Sequence, residues 1–279
     1  MRNLAFITTS DIHDQAQVFR RAFMEKTAVW NVALREVATR EEACSLLKGK
    51  EHAFVVAPAF RSFLFDEGFI KGSSARLSQG CDVLYRGGSN TIAIAQVARS
   101  TVDCIERNFI PIYGARVVIF GSGSAALDMA YECSRAGVDQ VTLLDVDRDR
   151  VRDNLSTFVE AYGKAATQIL DTEQSREGHL TARRAYEHTS FTFGSLQATK
   201  SIQQADVCIS LLPSTVPIPD YSTVLRESQI VCDPWSRSDS LLGQARRAGC
   251  DIALSQDVMR IWGEECAELL IEFGKSGFQ

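Results

Sequence analysis

The segment 117–145, VVIFGSGSAALDMAYECSRAGVDQVTLLD, constrains the fold of this chain more than any other. It begins with an apolar run typical of a buried parallel strand and continues through a glycine-containing turn at 121–126. An amphipathic stretch follows and ends before Gly137, and a second apolar run at 140–144 leads to Asp145. This order predicts a strand–helix–strand unit that carries the G-x-G-x-x-A form of the dinucleotide-binding fingerprint.

Each position of the fingerprint has a physical role. Gly121 allows the sharp turn from strand to helix, Gly123 lets a pyrophosphate approach the backbone, and Ala126 keeps the helix close to the strand. The free N–H groups at the helix start favour phosphate. We therefore expect the backbone of five consecutive residues to bind the pyrophosphate: Gly121, Ser122, Gly123, Ser124 and Ala125. Asp145 is placed to accept hydrogen bonds from a ribose hydroxyl. The alternative is a strand–helix–strand unit with no ligand.

The bulk composition limits the possible partners. The chain has 279 residues, a formal net charge of −5, 45% hydrophobic residues and 23% charged residues, so neither nucleic acid nor a membrane surface is an expected partner. The start of the sequence lacks the pattern of a signal peptide, and no apolar run is long enough for a membrane span. The eight cysteines are scattered without a C-x-x-C pair, which favours a reduced, cytoplasmic setting. No histidine, cysteine or carboxylate cluster has the spacing of a metal site. A small-molecule substrate is the expected partner, and a homodimer is compatible with the sequence.

The first 60 residues predict alternating strands and helices. Ser10 and Asp11 are candidate caps for the first helix, and Thr39 with Glu42 forms a capping-box pattern at the second. The predicted strands are 3–8, 30–37 and 52–57, and the predicted helices are 12–24 and 39–47. Residues 60–88 show little periodicity beyond a short strand at 82–85, and 93–108 predicts a helix that bridges to the second half.

The second half alternates strands and helices for about 140 residues, which is typical of a mostly parallel, doubly wound sheet. Residues 148–169 predict a helix, and the polar stretch 171–187 predicts an exposed excursion. The further strands are predicted at 191–193, 206–212, 229–233 and 251–254, and the further helices at 197–204, 241–248 and 256–273. The predicted fold class is α/β. A doubly wound Rossmann domain (95–255) accompanies a smaller N-terminal α/β substrate domain (1–94), which the C-terminal helix (256–279) completes.

Several segments resemble, in order, motifs of the shikimate/quinate dehydrogenase family. Residues 87–92 (GGSNTI) are similar to G-A-V-N-T-I, and 114–123 (GARVVIFGSG) to G-x-R-V-L-L-x-G-A-G. Residues 205–215 (ADVCISLLPST) are similar to A-D-L-I-I-N-A-T-P-x-G. Asp233-Pro234-Trp235 lies where the family has D-x-x-Y, and Val258-Met259 where it has M-L. The resemblance implies a substrate domain, a Rossmann domain and a cleft between them, in which NAD(P) oxidises a ring alcohol with a Lys–Asp dyad for proton transfer.

The chain departs from the family at its catalytic positions. The lysine of the family motif V-T-x-P-x-K corresponds to Phe60, and the aspartate to Val97 or Ile92, depending on the alignment. The serines of the S-x-S motif correspond to Ile7 and Thr9, and the substrate glutamine of the last helix falls between 262 and 264, where none of the residues is Gln. Because an apolar residue cannot transfer a proton, shikimate dehydrogenase activity is not expected.

The cofactor half predicts NAD rather than NADP. The resemblance implies an N-R-T triplet after the second strand in NADP-preferring members, whereas this chain has Asp145-Val146-Asp147. The carboxylate would repel a 2′-phosphate, although Arg148 and Arg150 are close enough to leave NADP open as the less favoured alternative. The loop after the 206–212 strand, with Leu211, Leu212 and Pro213, is predicted to lie on the nicotinamide side, where its prolines hold it rigid.

The catalytic group is not identified by the sequence, and each candidate has a structural alternative. The weak catalytic candidates are His13, Tyr85 and Glu264, where Glu264 replaces a neutral amide and would suit an amine- or imine-bearing substrate. The candidate substrate-binding residues are Ser10, Arg61, Asn90, Trp235 and Trp262. The alternatives are a helix cap for Ser10, a capping or surface histidine for His13, solvated surface for Arg61 and Glu264, a turn for Asn90, and interface packing for the two tryptophans.

Two functions follow from these observations. The first is an NAD-dependent oxidoreductase that resembles shikimate dehydrogenase but acts on a different small substrate. The second is a catalytically silent NAD-binding protein that serves as a regulator or partner. The missing dyad favours the second, whereas the nicotinamide-side loop and Asn90 favour the first. A proton-competent group beside the nicotinamide would distinguish them.

Overall fold

The computed structural model describes residues 1–88, 90–177, 187–236 and 239–275. Its N-terminal part forms a six-stranded mixed sheet. The strands are β1 (Arg2–Thr8), β2 (Trp30–Glu36), β3 (Ala53–Val56), β4 (Ile70–Lys71), β5 (Val83–Gly87) and β6 (Asn90–Ile94), in the spatial order β2-β1-β3-β5-β6-β4. The helices between them are α1 (His13–Lys26), α2 (Arg40–Leu47), α3 (Arg61–Glu67) and α4 (Ser73–Ser78). Strands β5 and β6 form an antiparallel hairpin, whereas β1 pairs in parallel with both β2 and β3.

Helix α5 (Val97–Asn108) leads into a second sheet in which all six strands are parallel. The strands are β7 (Arg116–Phe120), β8 (Gln140–Asp145), β9 (Glu187–Thr192), β10 (Val207–Ser210), β11 (Ile230–Cys232) and β12 (Asp251–Ala253), in the order β12-β11-β10-β7-β8-β9. The helices are α6 (Ser124–Ala136), α7 (Arg148–Glu177), α8 (Leu196–Gln204), α9 (Asp239–Ala248) and α10 (Ser255–Lys275). This is a doubly wound sheet, and with the smaller mixed sheet it confirms the predicted fold class.

The C-terminal helix α10 packs on α1 of the first sheet. The Trp262 ring lies 4.6 Å from the Phe19 ring and 5.6 Å from the Phe6 ring, measured between centroids. A Cβ atom added at Gly263 would lie 2.5 Å from the Phe19 carbonyl oxygen, so only glycine allows the two helices to approach this closely. The division of the chain at 94/95 and 255/256 stays a prediction.

The predicted helices differ from the structure in several places. The predicted helix 93–108 begins only at Val97, because 93–94 belong to β6, and helices α3 and α4 were not predicted. Helix α1 has Ile12 at its N-cap position and no side-chain cap, so neither Ser10 nor Asp11 caps it. The capping box of Thr39 and Glu42 is present at α2. Helix α7 continues to Glu177, whereas the sequence predicted a polar excursion over 171–187. Residues 178–186 of that excursion lie outside the described residues, and its last residue, Glu187, begins β9.

The eight cysteines are all free thiols, and seven of them are buried. Within the described ranges, no helix combines the length and the apolar composition that crossing a membrane requires.

Candidate functional site

A cavity of about 490 Å³ lies at the carboxyl ends of β7 and β10. These strands are neighbours, but the chain leaves β7 towards β8 on one side and reaches β10 on the other. The loops that follow the two strands therefore diverge and open a crevice, which is where doubly wound sheets bind ligands. The first sheet contributes the opposite wall through Pro58 and Ala59, which follow β3.

The cavity brings together the predicted cofactor residues, with the exception of Val146. Its lining is Pro58, Ala59, Gly121, Ser122, Gly123, Ser124, Ala125, Asp145, Arg150, Leu211, Leu212, Pro213 and Val216. Val146 is 51% exposed and lies outside this lining. The lining residues come from four segments of the chain, which lie at or follow the ends of β3, β7, β8 and β10, so the fold rather than sequence proximity brings them together.

The glycine turn has the backbone that the fingerprint requires. Gly121 has a φ of +123°, a conformation that side chains rarely allow. A Cβ atom added at Gly123 would meet no atom within 4 Å, so open space lies against the backbone at this point. Gly123 is the N-cap of α6 and supplies no side-chain acceptor, which leaves the N–H groups of the first helical turn available to an anion.

One end of the cavity is polar and is organised by Asp145. This carboxylate is buried and accepts hydrogen bonds from Ser122 Oγ at 2.6 Å and from the backbone N–H of Val146 at 2.7 Å. Arg150 Nη2 lies 2.5 Å from Asp145 Oδ1. The pair with Arg150 partly neutralises the carboxylate, which weakens the repulsion of a 2′-phosphate that the sequence predicted.

The other end of the cavity is apolar in the part of the chain that the structure describes. Its lining consists of Leu211, Leu212, Pro213 and Val216, together with Pro58 and Ala59 of the facing wall. Phe60, at the family's lysine position, and both candidates for the aspartate position, Val97 and Ile92, are buried in the hydrophobic core. No group in this lining can transfer a proton.

Charged groups lie behind this wall in a buried cluster, which we call the Arg61 cluster and which consists of Arg61, Ser74, Asp82 and Asp128. Arg61 Nη1 donates to Asp82 Oδ2, and Arg61 Nη2 donates to Asp128 Oδ2 at 2.9 Å. Ser74 Oγ donates to Asp128 Oδ1. Asp82 Oδ1 also accepts from the backbone N–H of Gln96 at 2.8 Å. Arg61 is 1% exposed, so it is neither solvated nor free to bind a substrate.

Burial dominates the protonation equilibria of the two carboxyl groups. It raises the pKa of Asp82 to about 6, against the lowering effect of the Arg61 guanidinium. Burial also raises the pKa of Asp128, again against Arg61 and the Ser74 hydrogen bond. Two carboxyl groups share one guanidinium, and desolvation makes the excess negative charge costly.

Sequence reasoning did not identify Ser74, Asp82 or Asp128. A signal for Asp128 was present, because it lies beside Leu127 and Met129 on a helix whose other buried residues are mainly apolar. An ionisable residue on such a face requires a buried partner. No comparable signal marked Ser74 or Asp82, which come from the segment of poor periodicity.

Ser10 and His13 follow β1 at the same edge of the first sheet as Pro58, but neither lines the cavity. Ser10 is exposed. His13 Nδ1 lies 3.3 Å from Glu36 Oε2, and its Nε2 is 3.1 Å from Gln17 Nε2. The His13 side chain is 41% exposed in this arrangement.

Tyr85 and Asn90 lie away from the cavity, which corrects their candidate roles. Tyr85 pairs with Ala53, the first residue of β3, whereas the cavity lies beyond the last residue of that strand. Its hydroxyl accepts from Arg2 Nη1 at 3.4 Å. Asn90 pairs with Gly87 at the tip of the β5–β6 hairpin, still farther from the cavity. The described residues of the GGSNTI motif therefore include the last residue of β5 and the first three residues of β6.

Glu264 also lies away from the cavity. It pairs with Arg260 at 3.1 Å and lies 3.9 Å from Lys26 Nζ at the end of α1. Lys26 is 13 residues beyond His13, so a rise of 1.5 Å per residue separates them by about 20 Å along the helix. Glu264 thus belongs to a surface ion pair between α1 and α10.

Trp235 and Trp262 are buried, at 2% and 0% exposure, and their rings meet edge to face at 5.5 Å. Trp235 follows β11 of the second sheet, whereas Trp262 packs on the first. The pair therefore packs between the two sheets and offers no accessible face to a substrate.

Within residues 1–88, 90–177, 187–236 and 239–275, no group of three or more His, Cys, Asp or Glu side chains is arranged to hold a metal ion.

The architecture is similar to that of several solved oxidoreductases. Shikimate 5-dehydrogenase from Listeria monocytogenes, in complex with shikimate and NAD, aligns over 97% of this chain and 92% of that one, with a TM-score of 0.71 and 14% identity. The enzyme from Thermus thermophilus, in complex with NADP(H) and shikimate, aligns over 98% and 94%, with a TM-score of 0.72 and 12% identity. This chain has the shikimate dehydrogenase fold.

The same fold also occurs in a 5-ketofructose reductase of Gluconobacter sp. strain CHM43, which aligns over 98% of this chain and 94% of that one, with a TM-score of 0.69 and 15% identity. No protein-family model matches the chain, and no curated protein matches it in sequence. The resemblance predicted from the sequence is thereby confirmed at the level of the fold.

Removal of the cation from the Arg61 cluster should make the free energy of unfolding depend on pH. In Arg61→Met two buried carboxylates face each other without a counterion, so we expect the free energy of unfolding near pH 7 to fall by about 3–5 kcal/mol. A carboxyl group whose folded-state pKa is raised binds more protons when folded, so its destabilising effect is relieved as the pH falls through that pKa. In the wild type the pKa of Asp82 is raised from 3.8 to about 6 despite the lowering effect of Arg61, so the loss of Arg61 should raise this pKa further. The stability lost in Arg61→Met should therefore recover progressively as the pH falls from 7 towards 4.

Chemical denaturation across this pH range measures the effect. Arg152→Met is the matched control, because Arg152 pairs with Asp149 and Asp153 at the exposed surface. Stability of Arg61→Met close to that of the wild type near pH 7, or a loss that does not change with pH, would contradict this account of the cluster.

Proposed function

We propose that this chain is an oxidoreductase that binds a nicotinamide dinucleotide in the cavity at the β7–β10 crevice and acts on a small molecule other than shikimate. The observation that carries the proposal is the meeting of three elements around one cavity. These are the open glycine turn at Gly121–Ala125, the buried carboxylate of Asp145 and the apolar segment 211–213. They are the parts a dinucleotide needs for its pyrophosphate, its adenosine ribose and its nicotinamide ring.

The residues fit the cofactor on structural grounds. The start of α6 has open space at Gly123 and uncapped N–H groups, which suit a pyrophosphate. Asp145 is held in place by Ser122 and Arg150, so its remaining acceptor capacity is oriented before a ligand arrives. Pro213 and its neighbours form a rigid wall for a planar ring. When bound, the nicotinamide would supply the hydride chemistry.

NAD remains the proposed cofactor, with NADP as the alternative. Asp145 favours a ribose with a free 2′-hydroxyl, whereas Arg150 would favour a 2′-phosphate if it left Asp145. The similar structure from Listeria monocytogenes contains NAD and that from Thermus thermophilus contains NADP(H), so the fold accommodates both.

The proposed substrate class is a small alcohol or carbonyl compound. A 5-ketofructose reductase with the same fold supports a substrate that differs from shikimate. The buried apolar side chains of Phe60 and Val97 argue against shikimate itself. We do not propose an amine- or imine-bearing substrate, because that prediction depended on Glu264, which pairs with Arg260 at the surface.

A second candidate function is a nicotinamide-binding protein without chemistry of its own. The apolar lining of the cavity around Leu211 and Val216 favours it, since nothing described there can move a proton. Turnover of a panel of polyols, hydroxy acids and their carbonyl counterparts, followed by the absorbance of the reduced nicotinamide, separates the two functions. Tight dinucleotide binding with no turnover across the panel would favour the second.

Replacement of Gly123 tests the dinucleotide site directly. A valine there meets no protein atom within 4 Å of its Cβ and has an ordinary φ of −77°, so the fold should be retained while the side chain fills the space of the pyrophosphate. We expect Gly123→Val to weaken NAD binding by at least about 100-fold, or about 2.7 kcal/mol, by isothermal titration calorimetry.

Gly163→Val is the control, because Gly163 also has no atom within 4 Å of an added Cβ and lies in α7, away from the cavity. Wild-type affinity in Gly123→Val, with the fold intact, would contradict the proposed site.

The choice between NAD and NADP is tested by Asp145→Ser combined with Val146→Arg. The change removes the carboxylate, adds a cation beside the ribose and frees Arg150 from its pair. We expect the ratio of the NADP and NAD dissociation constants to fall by about tenfold or more, since a phosphate pairs strongly with arginine. Asp147→Ser serves as the control, and an unchanged ratio in the double variant would refute the role of Asp145.

A further inference from the structure

The two walls of the cofactor cavity are joined behind the cavity by one ion pair. The wall of the first sheet is Pro58–Ala59, and Arg61 follows it two residues later at the start of α3. The wall of the second sheet is the glycine turn that leads into α6, and Asp128 lies one helical turn beyond Ser124. Arg61 Nη2 and Asp128 Oδ2 are 2.9 Å apart.

Two further contacts hold α6 against the first part of the chain. Ser74, at the start of α4, donates its hydroxyl hydrogen to Asp128 Oδ1. Gly80 lies so close to the first residue of α6 that an added Cβ atom would be 2.7 Å from Ser124 Oγ. The segment from Ser74 to Gly80 therefore lies close to α6 both at its first residue, Ser124, and one turn later, at Asp128.

Asp82 also connects the Arg61 cluster to the start of α5. Asp82 binds the other arm of the Arg61 guanidinium and accepts from the backbone N–H groups of Gln96 and Val97 at 2.8 and 3.3 Å. These two residues lie at the start of α5, the helix that leads from the first sheet to the second. Movement of one wall relative to the other would separate Arg61 from Asp128 and leave buried charges unpaired, which is costly.

We propose that Arg61, Ser74, Asp82 and Asp128 form a clamp that fixes the spacing between the two walls, so that the cavity is already formed before a ligand binds. They are positioning residues, since they act on a ligand only through α6 and the Pro58–Ala59 segment. The part of the proposal that concerns affinity rests on the proposed nucleotide function. The part that concerns the fixed spacing does not.

Pulsed electron-spin distance measurements test the fixed spacing. Spin labels are introduced through unnatural amino acids at the exposed residues Glu41 on α2 and Lys200 on α8. We expect one narrow distance distribution for the full chain, unchanged by NAD. Ser74→Ala and Asp128→Asn, which remove a hydroxyl or a charge with little change in volume, should each broaden it.

Ser134→Ala is the matched control, because Ser134 is, like Ser74, a buried serine, but the contacts of its hydroxyl lie on the side of the second sheet. It donates to the Ala130 carbonyl of its own helix at 2.7 Å and lies 3.0 Å from His188 Nε2 of β9. It should keep the narrow distribution. In the two clamp variants the NAD dissociation constant should increase about tenfold, since part of the binding energy then orders the walls. This shift would be absent from Ser134→Ala.

A broad distribution for the wild type that narrows on addition of NAD would overturn the clamp. So would clamp variants that behave like Ser134→Ala. A wild-type chain with a narrow distribution and no NAD or NADP binding would leave the clamp standing and would refute the proposed function instead.

Discussion

The parallel pairing of β7 with both β8 and β10 is the constraint on which the site depends. Because the chain leaves β7 in one direction and comes to β10 from the other, the loops after these two strands cannot close over each other. The glycine turn and the segment 211–213 therefore form the two sides of a crevice. The Pro58–Ala59 segment of the first sheet forms the opposite wall of this crevice. The Arg61 cluster connects that segment to α6, the helix that follows the glycine turn.

The charged groups of this chain lie in a different place from those that the family resemblance implies. The resemblance puts a lysine and an aspartate in the cleft, whereas Phe60 stands at the lysine position and Val97 or Ile92 at the aspartate position, and all three are buried. Arg61 follows Phe60 in sequence, and Asp82 accepts a hydrogen bond from the backbone N–H of Val97. The side chains of Arg61 and Asp82 pair with each other at the interface between the two sheets. The buried charges of this chain instead pair with one another where α3 and α4 contact α6.

The sequence predicted the parts of the structure that depend on local patterns. The glycine turn, Asp145 and the capping box at α2 are short-range features with fixed spacing, and the alternation of strands and helices indicated the doubly wound sheet. Strand β6 was missed because it pairs with β5 instead of alternating with a helix. Asn90 was assigned to the cleft because its segment resembles a family motif, whereas it pairs with Gly87 at the end of β5. The Arg61 cluster was missed because its members are brought together across 67 residues of chain by tertiary packing.

A crystal structure of the chain with NAD tests the central claim most directly. The account predicts a pyrophosphate at the start of α6 beside Gly123, an adenosine ribose on Asp145, and a nicotinamide ring between Pro58–Ala59 and the segment 211–213, with the two walls as far apart as they are without ligand. A nucleotide bound elsewhere, or no density for it at saturating concentration, would contradict the account.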